Sequence, residues 1–125
     1  MKVISKYLIL AVSFLTFFTG RNSMAQTSQK PQIYFVIFHT PGPHWDKAKT
    51  FKQQPDVMKH VGYMSQFLES KKLVMGGPFL DDSGGMMVLE AKDIKEAQRI
   101  AQDDPTVKSG LLVANVKPWM IAMSR

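Results

Sequence analysis

The spacing of apolar residues divides the chain from residue 33 onward into six elements. Residues 33–38 are apolar on both alternating faces, which is typical of a strand covered on both sides. Beyond Pro55 and Asp56, which suit a first helical turn, apolar residues recur every three or four positions and predict a helix. In order, the predicted elements are a strand at 33–38, a helix at 55–68, strands at 73–79 and 86–90, a helix at 93–104 and a strand at 111–116.

Turn-forming residues mark the boundaries of these elements. Two prolines and a glycine within residues 40–45 are expected to end the first strand, and the long connection that follows is a candidate functional loop. Asp93 and Glu96 resemble a capping box at the start of the second helix, which Pro105 is expected to end. The Gly76-Gly77-Pro78 segment is expected to interrupt the second strand. A bulge is favoured there over a close approach of a ligand to the backbone.

The order of the elements predicts the α+β class. A β-α-β-β-α-β order is typical of the ferredoxin-like fold, in which a four-stranded antiparallel sheet carries both helices on one face. Because the first strand is apolar on both faces, the sheet face away from the helices also needs a cover. A second copy of the chain, packed sheet to sheet, would supply that cover, so we expect a symmetric homodimer.

The first 25 residues are typical of a cleavable secretory signal peptide. Two lysines precede an apolar run at residues 7–18, and small residues precede a predicted cleavage site after Ala25. The apolar run is too short to cross about 30 Å of hydrocarbon at ~1.5 Å per residue, although an uncleaved membrane anchor is the alternative interpretation. The sequence thus predicts a mature domain at 26–125, periplasmic or secreted, with no membrane association after removal of the signal.

Composition and charge exclude several classes of function. The 125 residues include no cysteine, which excludes disulfides, a thiol nucleophile and thiolate metal sites. The formal net charge is +6, but three of the 16 basic residues lie in the predicted signal peptide, which contains none of the 10 acidic residues. The small excess that remains is weak evidence for a nucleic-acid partner. No glycine-rich nucleotide-binding motif is present, so no cofactor is expected. No basic run with interleaved aromatic residues is present either, so no nucleic-acid partner is expected.

His60 and Asp104 are the main candidates for chemistry. His60 stands on the apolar face of the first predicted helix, where a histidine is either a core residue or a general acid or base. A catalytic imidazole needs a partner for its second ring nitrogen, and Asp104 continues the buried stripe of the second helix. The alternative role for Asp104 is that of a turn residue before Pro105. If the two helices run roughly parallel, as we expect, spacing does not show whether these side chains meet within one chain or across a dimer.

Four further residues could line a ligand pocket. They are His39, Trp45, Gly77 and Pro78. His39 lies on an apolar face of the first strand, where a hydrogen bond to a neighbouring loop is the alternative role. Trp45 could close over an apolar ligand or merely cover the edge of the core. No metal site is expected, because the three histidines have no short helical spacing and no carboxylate beside them in the sequence.

Six short motifs in the same order resemble the YciI-like (YCII-related) proteins. The motifs are His60-Val61-Gly62-Tyr63-Met64, Gly76-Gly77-Pro78-Phe79, Gly84-Gly85, Glu96-Ala97, Asp104-Pro105 and Val116-Lys117-Pro118-Trp119. The resemblance covers about residues 33–119 and implies a dimeric α+β barrel of ferredoxin-like subunits, similar to muconolactone isomerases. It also implies a His–Asp pair in a pocket, which by motif is His60 with Asp104.

Three functions are compatible with these features. In the first, a cofactor-free enzyme of isomerase, lyase or hydrolase type uses His60 to transfer a proton on a small organic molecule, with Asp104 orienting the imidazole. In the second, a non-catalytic dimer binds a small ligand. In the third, His60 and Asp104 are a buried structural pair, and either single substitution unfolds the protein. The two functional roles predict substitutions that are nearly neutral or even stabilising.

Overall fold

A computed structural model describes residues 32–125 and has the predicted order of strands and helices. Its elements are β1 (Ile33–Pro41), a short 3-10 helix (Phe51–Gln53), α1 (Val57–Glu69), β2 (Leu73–Pro78), β3 (Gly85–Leu89), α2 (Ile94–Asp103), α3 (Pro105–Lys108) and β4 (Leu112–Met120). The strands form one sheet in the order β2-β3-β1-β4, and each neighbouring pair is antiparallel. The predicted signal peptide and its cleavage after Ala25 lie outside the described residues.

Both long helices pack against the same face of the sheet. One core cluster joins α1 and α2 to β1, β2 and β3, and its members are Ile37, Met64, Leu73, Leu89, Ile100 and Ala101. Ile37 and Leu89 are fully buried because β1 and β3 are the two central strands. The predicted α+β class and ferredoxin-like subunit are therefore confirmed. Within residues 32–125, no helix has the length and apolar character that crossing a membrane requires.

The opposite face of the sheet carries a shallow apolar groove. The groove is lined by Val36, Phe38, Met86, Val88, Lys117 and Trp119. On β1 these residues alternate with Ile37, which faces the helices, because successive side chains of a strand point to opposite faces. The apolar character of both sides of β1 thus matches a helix-covered core on one face and this open groove on the other.

β1 and β4 are both longer than the sequence predicts. The sequence predicts a break in β1 from residue 40, whereas pairing continues to Pro41, which lies opposite Leu112. It also predicts that Pro118 closes the last strand, whereas Pro118 pairs opposite Phe35 within β4. Both prolines are tolerated, since Pro41 is the last residue of its strand and β4 is an edge strand that need not donate on both sides.

β2 runs through residues 76–78 without interruption, so the predicted bulge at these residues is wrong. They pair in register with β3, and the shift in register lies earlier, between Leu73 and Met75. Gly76 favours this pairing because a Cβ atom at that position would lie 2.9 Å from the backbone oxygen of Met86, which cannot move aside as the nearby Met87 side chain can. The absence of a side chain therefore keeps β2 and β3 regular where they border the cavity described below.

A side-chain cap marks the start of α2, whereas a left-handed residue precedes α1. Asp93 Oδ1 accepts a hydrogen bond from Glu96 N at 2.8 Å, whereas the Glu96 carboxylate reaches Lys92 N, one residue before the position expected of a capping box. α1 begins at Val57 rather than in the predicted turn at Pro55, because Asp56 has a left-handed backbone with φ of 61°. The start of α2 therefore follows the predicted chemistry, whereas α1 starts two residues later than predicted.

Candidate active site

A cavity of about 210 Å³ lies between α1 and the sheet. Its wall includes His39 from β1, His60 and Met64 from α1, and Gly77 and Pro78 from β2. Other apolar side chains on the wall are Phe51, Val61, Leu68, Leu73, Met87 and Leu112. Four of the catalytic and pocket residues predicted from the sequence line this cavity: His39, His60, Gly77 and Pro78. Its two imidazole rings are thus set in largely apolar surroundings.

His60 and Asp104 meet within one chain. His60 Nδ1 donates a hydrogen bond to Asp104 Oδ2 at 2.5 Å, and both residues are buried.

The expectation that α1 and α2 run parallel is wrong. β1 and β3 are antiparallel, so the helices that follow them start from opposite ends of the sheet. The first turn of α1, which carries His60, therefore lies near the end of α2, where Asp104 follows.

Asp104 also has the alternative role that the sequence left open, because it is the N-cap of α3. Its Oδ1 atom accepts hydrogen bonds from Thr106 N at 2.8 Å and Thr106 Oγ1 at 2.6 Å. Burial of Asp104 opposes its charged form, but the hydrogen bonds from His60 and Thr106 outweigh burial and hold the pKa of the carboxyl below its ordinary value. The carboxylate is therefore ionised at neutral pH, with each oxygen committed to a different partner.

Thr106 is a neighbour of Asp104 that no sequence pattern singled out. It is fully buried, and it holds one Asp104 oxygen while the other accepts from His60. The signal for it is local: an aspartate followed by proline is a typical N-cap with proline at the first helical position. A polar residue directly after that proline is well placed to bond to the capping carboxylate.

The hydrogen bond to the carboxylate fixes the tautomer of His60. An ionised carboxylate can only accept, so the proton lies on Nδ1 and the lone pair lies on Nε2. Nε2 has no hydrogen-bond partner among residues 32–125, and the ring lines the cavity. This arrangement can accept a proton from a molecule in the cavity.

His39 lies beside this pair without a hydrogen bond of its own. Its ring centroid is 4.8 Å from that of His60 in an edge-on arrangement, and its Nε2 is 3.8 Å from Asp104 Oδ2. Neither ring nitrogen has a partner in the described part of the chain, although both are buried. Burial, and secondarily the charge of His60, lowers the pKa of His39 to about 4, while Asp104 opposes this shift. His39 is therefore neutral at pH 7.

Trp45 does not line the cavity; Phe51 takes the position predicted for it. The Trp45 ring packs against Phe51 at a centroid distance of 6.3 Å, and Phe51 in turn stands 6.4 Å from the ring of His60. The backbone N–H of Phe51 is held by Asp82 Oδ1 at 3.0 Å. No sequence pattern predicts this contact, since Asp82 belongs to a distant hairpin turn. His44 lies outside the cavity, with its Nδ1 bonded to the carbonyl of Ser109.

The cluster of His39, His60 and Asp104 corrects one expectation about metals. The sequence shows no carboxylate beside the histidines, whereas the fold brings Asp104 next to two of them. One ring nitrogen from each histidine and one oxygen of Asp104 all lie within 4.8 Å of one another. These are the described residues that could hold a metal ion. The spacing argument against such a site therefore does not apply to the folded chain.

Comparison with known proteins places the chain in a family. The model of the YCII-related domain matches residues 34–120, which include almost all of the sheet and both long helices. The chain belongs to the YCII-related family. This YCII-related protein is 37% identical over 75 residues to the uncharacterized protein YjpA of Bacillus subtilis, a match that covers 60% of this chain and 87% of YjpA.

A solved structure shares the fold of this YCII-related protein. It is 5-chloro-2-hydroxyhydroquinone dehydrochlorinase (TftG) from Burkholderia phenoliruptrix AC1100, in complex with 2,5-dihydroxybenzoquinone. The TM-score is 0.54 at 23% sequence identity, and the match covers 69% of this chain and 92% of the other. At this identity the likeness establishes the α+β fold.

Proposed function

We propose that this YCII-related protein is an enzyme that transfers a proton on a small ring compound, with His60 as general base and acid. The observation that carries the proposal is the buried hydrogen bond from His60 Nδ1 to Asp104 at the wall of an apolar cavity. A histidine oriented by a carboxylate is a recurrent acid–base device, because the imidazole exchanges protons near neutral pH. The reaction class is isomerisation or elimination.

In this proposal each ring nitrogen of His60 has a separate task. The lone pair of Nε2 takes a proton from a carbon of the substrate, and the electron pair of that C–H bond forms a new double bond. Asp104 stabilises the imidazolium that results, since its charge is held in place by Thr106. In an isomerisation an existing double bond next to the new one breaks, its electron pair moves to its far atom, and that atom takes the proton back from His60. In an elimination a leaving group departs with its bonding electrons, and solvent later takes the proton from His60.

The volume of the cavity suits a substrate of about one ring. An apolar cavity of about 150 Å³ holds one benzene molecule, so about 210 Å³ leaves room for a six-membered ring with small substituents. The name of the structural neighbour specifies a single-ring substrate, and its bound ligand is likewise a single ring. Compounds of this size are therefore suitable first probes, although the likeness itself concerns the fold.

Turnover of such compounds should depend on His60. Purified protein, freed of metal with EDTA, is incubated with 5-chloro-2-hydroxyhydroquinone and a panel of single-ring enols and lactones, and chloride release and product formation are measured. His60→Gln is expected to lose about 100-fold or more of any activity, the usual contribution of a positioned general base. His44→Gln is the matched control and should keep full activity, because His44 lies outside the cavity.

A second outcome would favour a binding module instead. If 2,5-dihydroxybenzoquinone binds to the wild type and to His60→Gln with similar affinity by calorimetry, and no compound of the panel is converted, the enzyme proposal is wrong. Equal turnover by His60→Gln and by the wild type would also contradict it, because the reaction would then not use the imidazole.

We also propose that the apolar groove on the open face of the sheet is covered by a second copy of the chain. The groove is lined by residues of β1, β3 and β4, including Phe38 and Val88, and a self-complementary apolar patch fits a two-fold interface. Phe38→Glu should convert a dimer to a monomer in analytical ultracentrifugation. Leu80→Glu is the control, since Leu80 is fully exposed at a turn. A wild type that is monomeric at 100 µM (roughly the range of weak dimers) would contradict the proposal.

Export of the protein remains a proposal as well. Residues 1–25 would direct the chain to the periplasm or out of the cell and would be removed after Ala25. The N-terminal sequence of the purified protein tests this directly, because the mature chain should begin at Gln26.

A further inference from the structure

His39 is a buried polar residue that the proposed acid–base reaction does not use. Both of its ring nitrogens are buried without a partner in the described part of the chain. Buried polar atoms are nearly always paired, because an unpaired one loses its hydrogen bonds to water and gains nothing in return. Each exception therefore calls for an explanation such as an ion or a ligand that completes the site.

The distance from His39 to Asp104 indicates which kind of ligand would pair with the His39 ring. Its Nε2 lies 3.8 Å from Asp104 Oδ2, which is too long for a hydrogen bond. The gap is also too short for a bridging water, since a water needs about 2.8 Å to each of two groups at an open angle. Two atoms that bind one zinc ion at about 2.0–2.1 Å in tetrahedral geometry lie roughly 3.4 Å apart. The observed separation is close to that of two ligands of one metal ion.

We propose that His39, His60 and Asp104 bind one divalent transition-metal ion such as Zn²⁺. The ligand atoms from the three residues lie within 4.8 Å of one another, and all three residues are buried. Two imidazoles and one carboxylate form a donor set that zinc takes in proteins with one position open. Thr106 donates hydrogen bonds to the other oxygen of Asp104 and so orients the carboxylate, as residues that contact metal ligands commonly do.

Metal binding requires one local rearrangement. His60 Nδ1 and Asp104 Oδ2 are 2.5 Å apart and share a proton, so they must separate by somewhat less than 1 Å to bind one ion. The proton of His60 then moves from Nδ1 to Nε2, because Nδ1 must offer its lone pair to the ion. As a result the metal-bound form has no free lone pair on His60. The ion and the proposed acid–base role therefore exclude one another, which makes the metal an inhibitor of that role.

Calorimetry with zinc tests the site without an activity assay. Protein treated with EDTA and then freed of it is titrated with ZnSO₄, and we expect one ion per chain. His39→Gln should weaken binding more than about 100-fold, since loss of even an outer partner of a ligand costs 10–100-fold. His44→Gln is the matched control, because this histidine lies away from the cluster and should not affect binding.

A second measurement on the wild type guards against a variant that does not fold. Nitrogen-15 chemical shifts of the His60 ring should change from the Nδ1–H to the Nε2–H tautomer when one equivalent of zinc is added. Absence of stoichiometric binding, equal binding by His39→Gln, or an unchanged tautomer would each overturn the proposal. The outcome is separable from the proposed function: turnover by metal-free protein tests the acid–base role, and zinc calorimetry tests the metal site.

Discussion

Replacement of Asp104 by alanine is expected to lower the free energy of unfolding by about 3–5 kcal/mol, the usual cost of removing one partner of a buried charged pair. Asp104 is fully buried and accepts hydrogen bonds from His60 and Thr106. The substitution removes the N-cap of α3 and leaves buried donors without acceptors. Urea unfolding of the metal-free protein at pH 7, followed by circular dichroism, measures the loss.

Asp103→Ala is the matched control for this substitution. Asp103 is the preceding residue, and its exposed carboxylate pairs with the exposed amine of Lys108. Such surface pairs contribute about 0–1 kcal/mol, so Asp103→Ala should be nearly neutral. If Asp103→Ala and Asp104→Ala lowered the stability equally, the hydrogen bonds of Asp104 would not be important for the fold. Asp104→Asn should fall between the two, because it keeps the shape of the cap and loses the charge.

The double role of Asp104 changes how its variants should be interpreted. From the sequence, substitutions of Asp104 are expected to be nearly neutral if the residue is functional and to unfold the protein if it is structural. In the structure one carboxylate oxygen caps α3 and the other orients His60, so both roles depend on the same side chain. Loss of stability in Asp104 variants therefore does not exclude catalysis. Variants of His60 separate the two roles better, because the ring caps no helix.

Acidification from about pH 6.5 to pH 4 is expected to remove about 3 kcal/mol of stability through His39 alone. Burial, followed by the charge of His60, lowers the pKa of His39 from 6.5 to about 4 in the folded chain. Between these values the unfolded chain binds a proton at this position and the folded chain does not, so stability falls as the pH falls. The lowered pKa of Asp104 adds a further loss only near and below pH 4.

Unfolding free energies of the metal-free protein at pH 7, 6, 5 and 4.5 (roughly the span of the histidine titration) test this prediction. His39→Gln cannot titrate, so its stability should change much less over this range than that of the wild type. His44→Gln should retain the full pH dependence, because His44 is exposed and lies outside the cavity. An identical pH dependence in the wild type and in His39→Gln would show that another group controls acid stability.

Local patterns predict the elements of this fold well, and they fail where the tertiary environment decides. The order of strands and helices follows from apolar spacing, and Asp93 caps α2 as its sequence predicts. Strand ends are less predictable: Pro41 and Pro118 lie within strands because of their places at a strand end and in an edge strand. The sequence of one segment does not show which strands will lie beside it in the sheet, and those neighbours decide where a strand ends.

The site shows the same division between local and long-range information. His60 and Asp104 stand out in the sequence, but their contact depends on the antiparallel direction of the two helices, which the sequence analysis predicts wrongly. His39 is predicted only as a wall of the pocket, and its unpaired nitrogens follow from burial that composition does not reveal. Phe51 replaces Trp45 in the cavity because the turn at Asp82 holds the loop there.

The contrast between Asp104 and His39 bears on what natural selection would preserve. Asp104 caps a helix, so a descendant of this protein that had lost its activity would still need the carboxylate in order to fold. His39 is the opposite case, because a buried imidazole whose two nitrogens are unpaired lowers stability. Random substitution would remove such a residue quickly unless its chemistry were in use. A lineage that has kept His39 is therefore the one in which to look for the working site.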